Sequence, residues 1–154
     1  MRGEIGGRES PKGAPMRPKR PTVYDLNVLG VQFYRSEAYD LAIVQLEQAV
    51  RLAPESPGIH FNLGGAYYGK DRVADAEREF QTVVTLAPDH VRAHWFRGLC
   101  LERLERLADA VDEFEWVLAH STGTREARSA REEIVAIGHL RKATESGESG
   151  SNRP

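Results

Sequence analysis

Few side chains in this chain could do chemistry, and their spacing decides whether any act together. His90 and His94 stand four residues apart, an interval that puts two imidazoles on one helix face and would suit a metal pair. His90 falls in a turn, however, and His94 shares a column with His60 one repeat earlier, so turn and packing roles are expected. Asp112, Glu113 and Glu115 fall on an outer helix with no nucleophile or cavity nearby, which reads as a solvated face. Gly64, Gly65 and Gly69 lie inside a helical pattern with no strand before them, which a phosphate loop would need. The sequence has no G-x-x-x-x-G-K-[ST], G-x-S-x-G or H-E-x-x-H motif. Cys100 is the single cysteine and cannot form an internal disulfide; between Leu99 and Leu101 it reads as a small buried filler. No catalytic residue, no metal and no cofactor is expected, and the chain does not read as an enzyme.

The elements that carry these residues repeat. The middle of the chain reads His60-x-x-Leu63-Gly64-x-x-Tyr67, then Ala76-x-x-x-Phe80, then Pro88. A step of about 34 residues backwards pairs Leu29-Gly30 with Leu63-Gly64, Phe33 with Tyr67, Ala42 with Ala76, Leu46 with Phe80 and Pro54 with Pro88. Forwards, Arg97-Gly98 replaces Leu-Gly, Leu101 replaces the tyrosine, Ala110 and Phe114 remain, and Thr122 stands where proline is expected. The segments 73–84 (VADAEREFQTVV) and 107–118 (LADAVDEFEWVL) agree closely.

This pattern resembles the tetratricopeptide repeat, with His60 where that family prefers tryptophan. The resemblance implies an all-α fold, a right-handed α-solenoid of three helical hairpins closed by a C-terminal capping helix. The expected hairpins pair Val23–Arg35 with Ala38–Leu52, Pro57–Gly69 with Val73–Leu86, and Val91–Arg103 with Leu107–Ala119. Thr22 should cap the first helix, with Asp25 in its first turn, and Ser56 and Asp89 should cap the third and fifth. Leu-Ala-Pro at 52–54 and 86–88 should end the outer helices, because proline cannot continue the hydrogen-bond ladder. Gly30, Gly64 and Gly98 should let the helices of each hairpin approach, with Ala42, Ala76 and Ala110 facing them. A seventh helix from Thr124 to about Ala143, with Ala127, Ala130, Ile134, Ile137 and Leu140 on one side, should cover the last stacking face.

Three segments follow: a tail over 1–21, a repeat domain over 22–143 (repeats about 23–56, 57–90 and 91–123, cap 124–143), and a tail over 144–154. The first is rich in proline and glycine with almost no apolar side chains, so disorder is expected. Residues 1–20 hold six basic against two acidic side chains, net +4, which leaves −6 of the overall −2 for the rest. A basic tail on an acidic body allows a tether to nucleic acid or anionic lipid, but the composition favours a solvated leader, so neither is the expected partner. No run approaches the roughly 18 apolar residues of a membrane span, and no secretory h-region opens the chain, so a cytoplasmic location is expected.

The family's function implies the rest. Its inner helices line a concave groove that binds a partner peptide. Carried over position by position, the columns on that groove are Tyr24–Gly58–Arg92, Asn27–Phe61–Trp95, Val31–Gly65–Leu99 and Tyr34–Tyr68–Glu102. One subfamily grips chaperone-tail carboxylates at positions that fall here on Asn27, Val31, Asn62, Arg92 and Phe96. Only Asn62 matches, so an apolar or mixed peptide is the better expectation. Gly65, a second helical glycine, should leave a notch walled by Val31, Phe61, Tyr68 and Leu99. The leading reading is an adaptor binding a protein or peptide. Its rival is a homo-oligomer formed through hairpin faces or the seventh helix, near the departures Arg97 and Thr122.

Overall fold

The computed structural model describes residues 19–148, so most of the N-terminal tail and the end of the C-terminal one lie outside the described residues. Among the described residues there are seven α-helices and no strand. They are α1 Val23–Arg35, α2 Tyr39–Leu52, α3 Pro57–Gly69, α4 Val73–Leu86, α5 Val91–Arg103, α6 Leu107–His120 and α7 Arg125–Glu148. α1 packs on α2, α3 on α4 and α5 on α6; each hairpin packs on the next, and α7 closes the array against α6. The seventh helix runs past the expected end at Ala143 to Glu148.

Local chemistry accounts for the boundaries. At α1, Thr22 and Asp25 form a capping box: the Asp25 N–H donates to Thr22 Oγ1 at 3.2 Å and the Thr22 N–H donates to Asp25 Oδ2 at 2.9 Å. Those Thr22 donors, the backbone one first, hold the Asp25 carboxyl below the usual carboxylate range. α3 starts on Pro57, preorganised for a first turn, although the Ser56 side chain makes no cap bond. At α5 the expected cap Asp89 gives way to His90, whose Nδ1 accepts the Ala93 N–H at 3.1 Å. Each hairpin turns on one residue in the left-handed region, Glu37, Asp71 and Glu105, at φ 60, 66 and 59°.

The core follows the repeat. Ala42, Ala76, Ala110, Leu46, Phe80 and Phe114 are fully buried. The nearest contact of the glycine column is the large residue of that set. A Cβ on Gly30 would lie 2.5 Å from Leu46 Cγ, on Gly64 2.9 Å from Phe80 Cε1, and on Gly98 2.5 Å from Phe114 Cε1. Cys100 is fully buried, and burial pushes its thiol up to about 12. On α7, Ala127, Ala130 and Ile137 are buried and Ile134 is half-buried, but Leu140 is 54% exposed and leaves the row.

Candidate functional site

α1, α3 and α5 run side by side on the inner face, and their side chains form three adjoining depressions. The first, about 210 Å³, is lined by Val31, Tyr34 and Arg35 of α1, Phe61, Asn62 and Gly65 of α3, and Arg92 and Phe96 of α5, with Phe80 beneath. The second, about 250 Å³, lies between α5 and α7, lined by Arg92, Trp95, Phe96, Arg125, Glu126 and Ser129. The third is more open, about 760 Å³, and includes Tyr68, Leu99, Glu102, Arg103, Glu133 and Leu140.

Six of the expected groove residues, Val31, Tyr34, Phe61, Asn62, Gly65 and Arg92, therefore share one cavity. Trp95 lies in the second, while Tyr68, Leu99 and Glu102 lie in the third. The notch at Gly65 is real, but its walls differ from the expected set. A Cβ there would meet the Tyr34 ring at 3.7 Å, and Tyr34, Asn62 and Phe96 take the places expected for Tyr68 and Leu99. Tyr24 stands 75% exposed at the start of α1, and Asn27 is engaged, its Oδ1 accepting from Asn62 Nδ2 at 2.9 Å. Arg35 and the underlying Phe80 were not among the expected groove residues, and Phe96 was expected only as one of the carboxylate-gripping positions. Arg35 is four residues after Val31 and so shares its helix face, a signal the column pattern passes over.

The floor is aromatic and fixed. The Phe61 ring lies 5.6 Å from Phe80, 5.8 Å from Phe96 and 4.9 Å from His90, and Phe80 stacks on Phe96 at 5.3 Å. Phe61 and Trp95 are both half-buried by these neighbours and by their hairpins rather than projecting as free anchors. The Trp95 indole nitrogen is buried with no hydrogen-bond partner among the described residues. The Arg92 guanidinium sits 5.2 Å from the Phe61 ring centre.

The histidine column has a joint role. His60 Nδ1 lies 2.6 Å from Glu79 Oε2 and Nε2 lies 2.8 Å from the Pro54 carbonyl; His94 repeats this with Glu113 at 2.6 Å and Pro88 at 2.9 Å. Both nitrogens of each ring, and the Nδ1 of His90, are thus used within the fold. Among the described residues no group of three or more His, Cys, Asp or Glu side chains is placed to hold a metal ion. Arg97, the departure from leucine, donates to Glu77 at 3.0 Å and also to Glu113, tying the second hairpin to the third. Among the described residues no helix is long and apolar enough to cross a membrane.

Stacked helical hairpins with a groove along their inner helices define an α-solenoid of the kind that presents an extended concave surface. Family models for the tetratricopeptide repeat match residues 66–121 and, as a TPR repeat, 30–71; the chain belongs to the tetratricopeptide repeat family. Solved structures agree in fold. The first TPR of Spaghetti (RPAP3) bound to an HSP90 peptide superposes with a TM-score of 0.73 at 24% identity, covering 79% of this chain and 94% of that one. The first TPR domain of human RPAP3 gives 0.71 at 24% identity, covering 81% and 96%, and the Arabidopsis OM64 TPR domain gives 0.70 at 18% identity, covering 75% and 95%. No curated protein sequence matches this chain.

Proposed function

We propose that the chain is a non-enzymatic adaptor that binds a segment of a partner protein along the groove of α1, α3 and α5. The observation that carries this reading is the cup at Gly65, where the missing side chain leaves room over an aromatic floor. Related folds support it, since the RPAP3 repeat that superposes on this chain holds a peptide. A chaperone tail is not the favoured ligand. Of the positions that would grip its carboxylates, Asn62 donates to Asn27, while Val31 and Phe96 are apolar. The rival reading, assembly of copies through hairpin faces or the seventh helix, loses the support of Arg97, one of its two marker residues, because that side chain is spent inside the molecule.

Gly65→Leu tests the groove. The cup has space for the new side chain and leucine is the better helix former, so the melting temperature should hold or rise. Affinity for a partner found by pull-down should fall at least tenfold in titration calorimetry. Equal affinities would reject binding in this groove.

A further inference from the structure

The groove is electrically lopsided. Two guanidiniums, Arg35 and Arg92, stand on the rim of the first cavity, and no carboxylate is among the residues that line it. Neither forms an ion pair among the described residues; Arg92 lies over the Phe61 face instead. An apolar ligand seated there would strip water from two cations without replacing it, which is costly, whereas a carboxylate would repay that cost through charge-assisted hydrogen bonds. The far end of α5 is the reverse. Glu102 faces Glu133 across the third depression, and burial, then Glu133, raises its carboxyl above the usual range. Arg103, which lines the same depression, is already bonded to Asp71. From Arg92 to Glu102 the helix rises about 15 Å, a span that four or five extended residues cover at about 3.3 Å each.

We infer that the partner segment is polarised: a carboxylate beside a bulky apolar side chain seats between Arg35 and Arg92, over Phe61 and Gly65, and a basic side chain four or five residues away faces Glu102. This rests on the groove reading above and adds to it the composition and direction of the bound segment. The apolar side chain fills the cup, the two guanidiniums hold the carboxylate, and like-charge repulsion at Glu102 and Glu133 forbids the opposite orientation.

The test uses a random twelve-residue peptide library selected against the full chain. The enriched sequences are then synthesised with a fluorophore and titrated by anisotropy. They should share an acidic residue next to an aromatic or large aliphatic one, with Lys or Arg four or five positions off. Binding should weaken at least tenfold in Arg35→Glu/Arg92→Glu and in Glu102→Lys. A peptide with its acidic and basic positions exchanged should bind the triple variant better than the parent protein. Both arginines are exposed, so the fold should survive; if circular dichroism shows otherwise, Arg35→Gln/Arg92→Gln takes its place and should weaken binding in the same direction. Enriched peptides with no acidic excess, or arginine variants that bind as well as the parent while Gly65→Leu does not, would overturn the polarity and leave the groove standing. Peptides that bind Gly65→Leu as well as the parent, or a library with no enrichment, would remove both.

Discussion

Gly98 and Gly65 are both helical glycines on the inner layer, and their surroundings make opposite demands. A Cβ on Gly98 would press to 2.5 Å from the ring of Phe114, itself fully buried, whereas at Gly65 the nearest atom is at ordinary contact distance, 3.7 Å. Gly98→Ala should therefore destabilise by about 1–3 kcal/mol through overpacking. Gly65→Ala should stabilise by up to about 1 kcal/mol through helix propensity. Urea denaturation of the two variants checks the sign of each; a destabilised Gly65→Ala would mean the cup is tighter than it looks. The glycine column itself was legible from the repeat. Its nearest contact was not, because a helical side chain leans back over the turn N-terminal to its own Cα, which brings the Phe114 ring to Gly98 from one turn beyond Ala110. His90 as the cap of α5 was likewise hidden, since histidine is a weaker statistical signal there than the adjacent Asp89.

At the scale of the element, α7 decides how the array ends. Ile137 is 1% exposed against α6 and the third hairpin's core, while Ile134 is only half-buried. Ile137→Ala should cost about 2–5 kcal/mol and Ile134→Ala distinctly less, measured by thermal or urea unfolding. A chain ended at Thr124 would uncover the face of α6 that α7 packs on, and should melt at a lower temperature and aggregate. A shortened chain that melts unchanged would deny α7 the role of a cap. The helix and its buried side were readable from the spacing of Ala127, Ala130 and Ile137. Leu140 was misassigned because it lies roughly 80° round the helix from Ala130 at 3.6 residues per turn, far enough to edge the third depression instead of the core.

For the whole molecule, the repeat lines up columns of inner-helix positions but does not say which of their residues share a cavity. Successive hairpins are offset, so Gly65 meets Tyr34, a turn beyond its column partner Val31, and Leu99 falls into another depression. The same stacking logic makes the two ends unequal. The second hairpin is flanked on both sides, and its Leu63 is 2% exposed, while Leu29 in the same column is 38% exposed at the uncovered first hairpin. Hydrogen exchange should therefore release α1 amides through local opening well before those of α3 and α4. Equal protection along the three hairpins would show that the array opens only as one unit.

The histidine bridges carry a consequence for the length of such a chain. His60 takes its carbonyl from the loop before it and its carboxylate from its own hairpin, and His94 does the same one period later. Every partner a bridge needs thus lies within one hairpin and the loop it follows. Residues 57–90 form a unit of growth: a tandem duplication would offer the new histidine the Pro88 carbonyl that His94 uses now, and would offer His94 the copied one. The joint carries its own fittings, so lengthening the array by whole units adds groove without leaving a buried ring nitrogen unanswered.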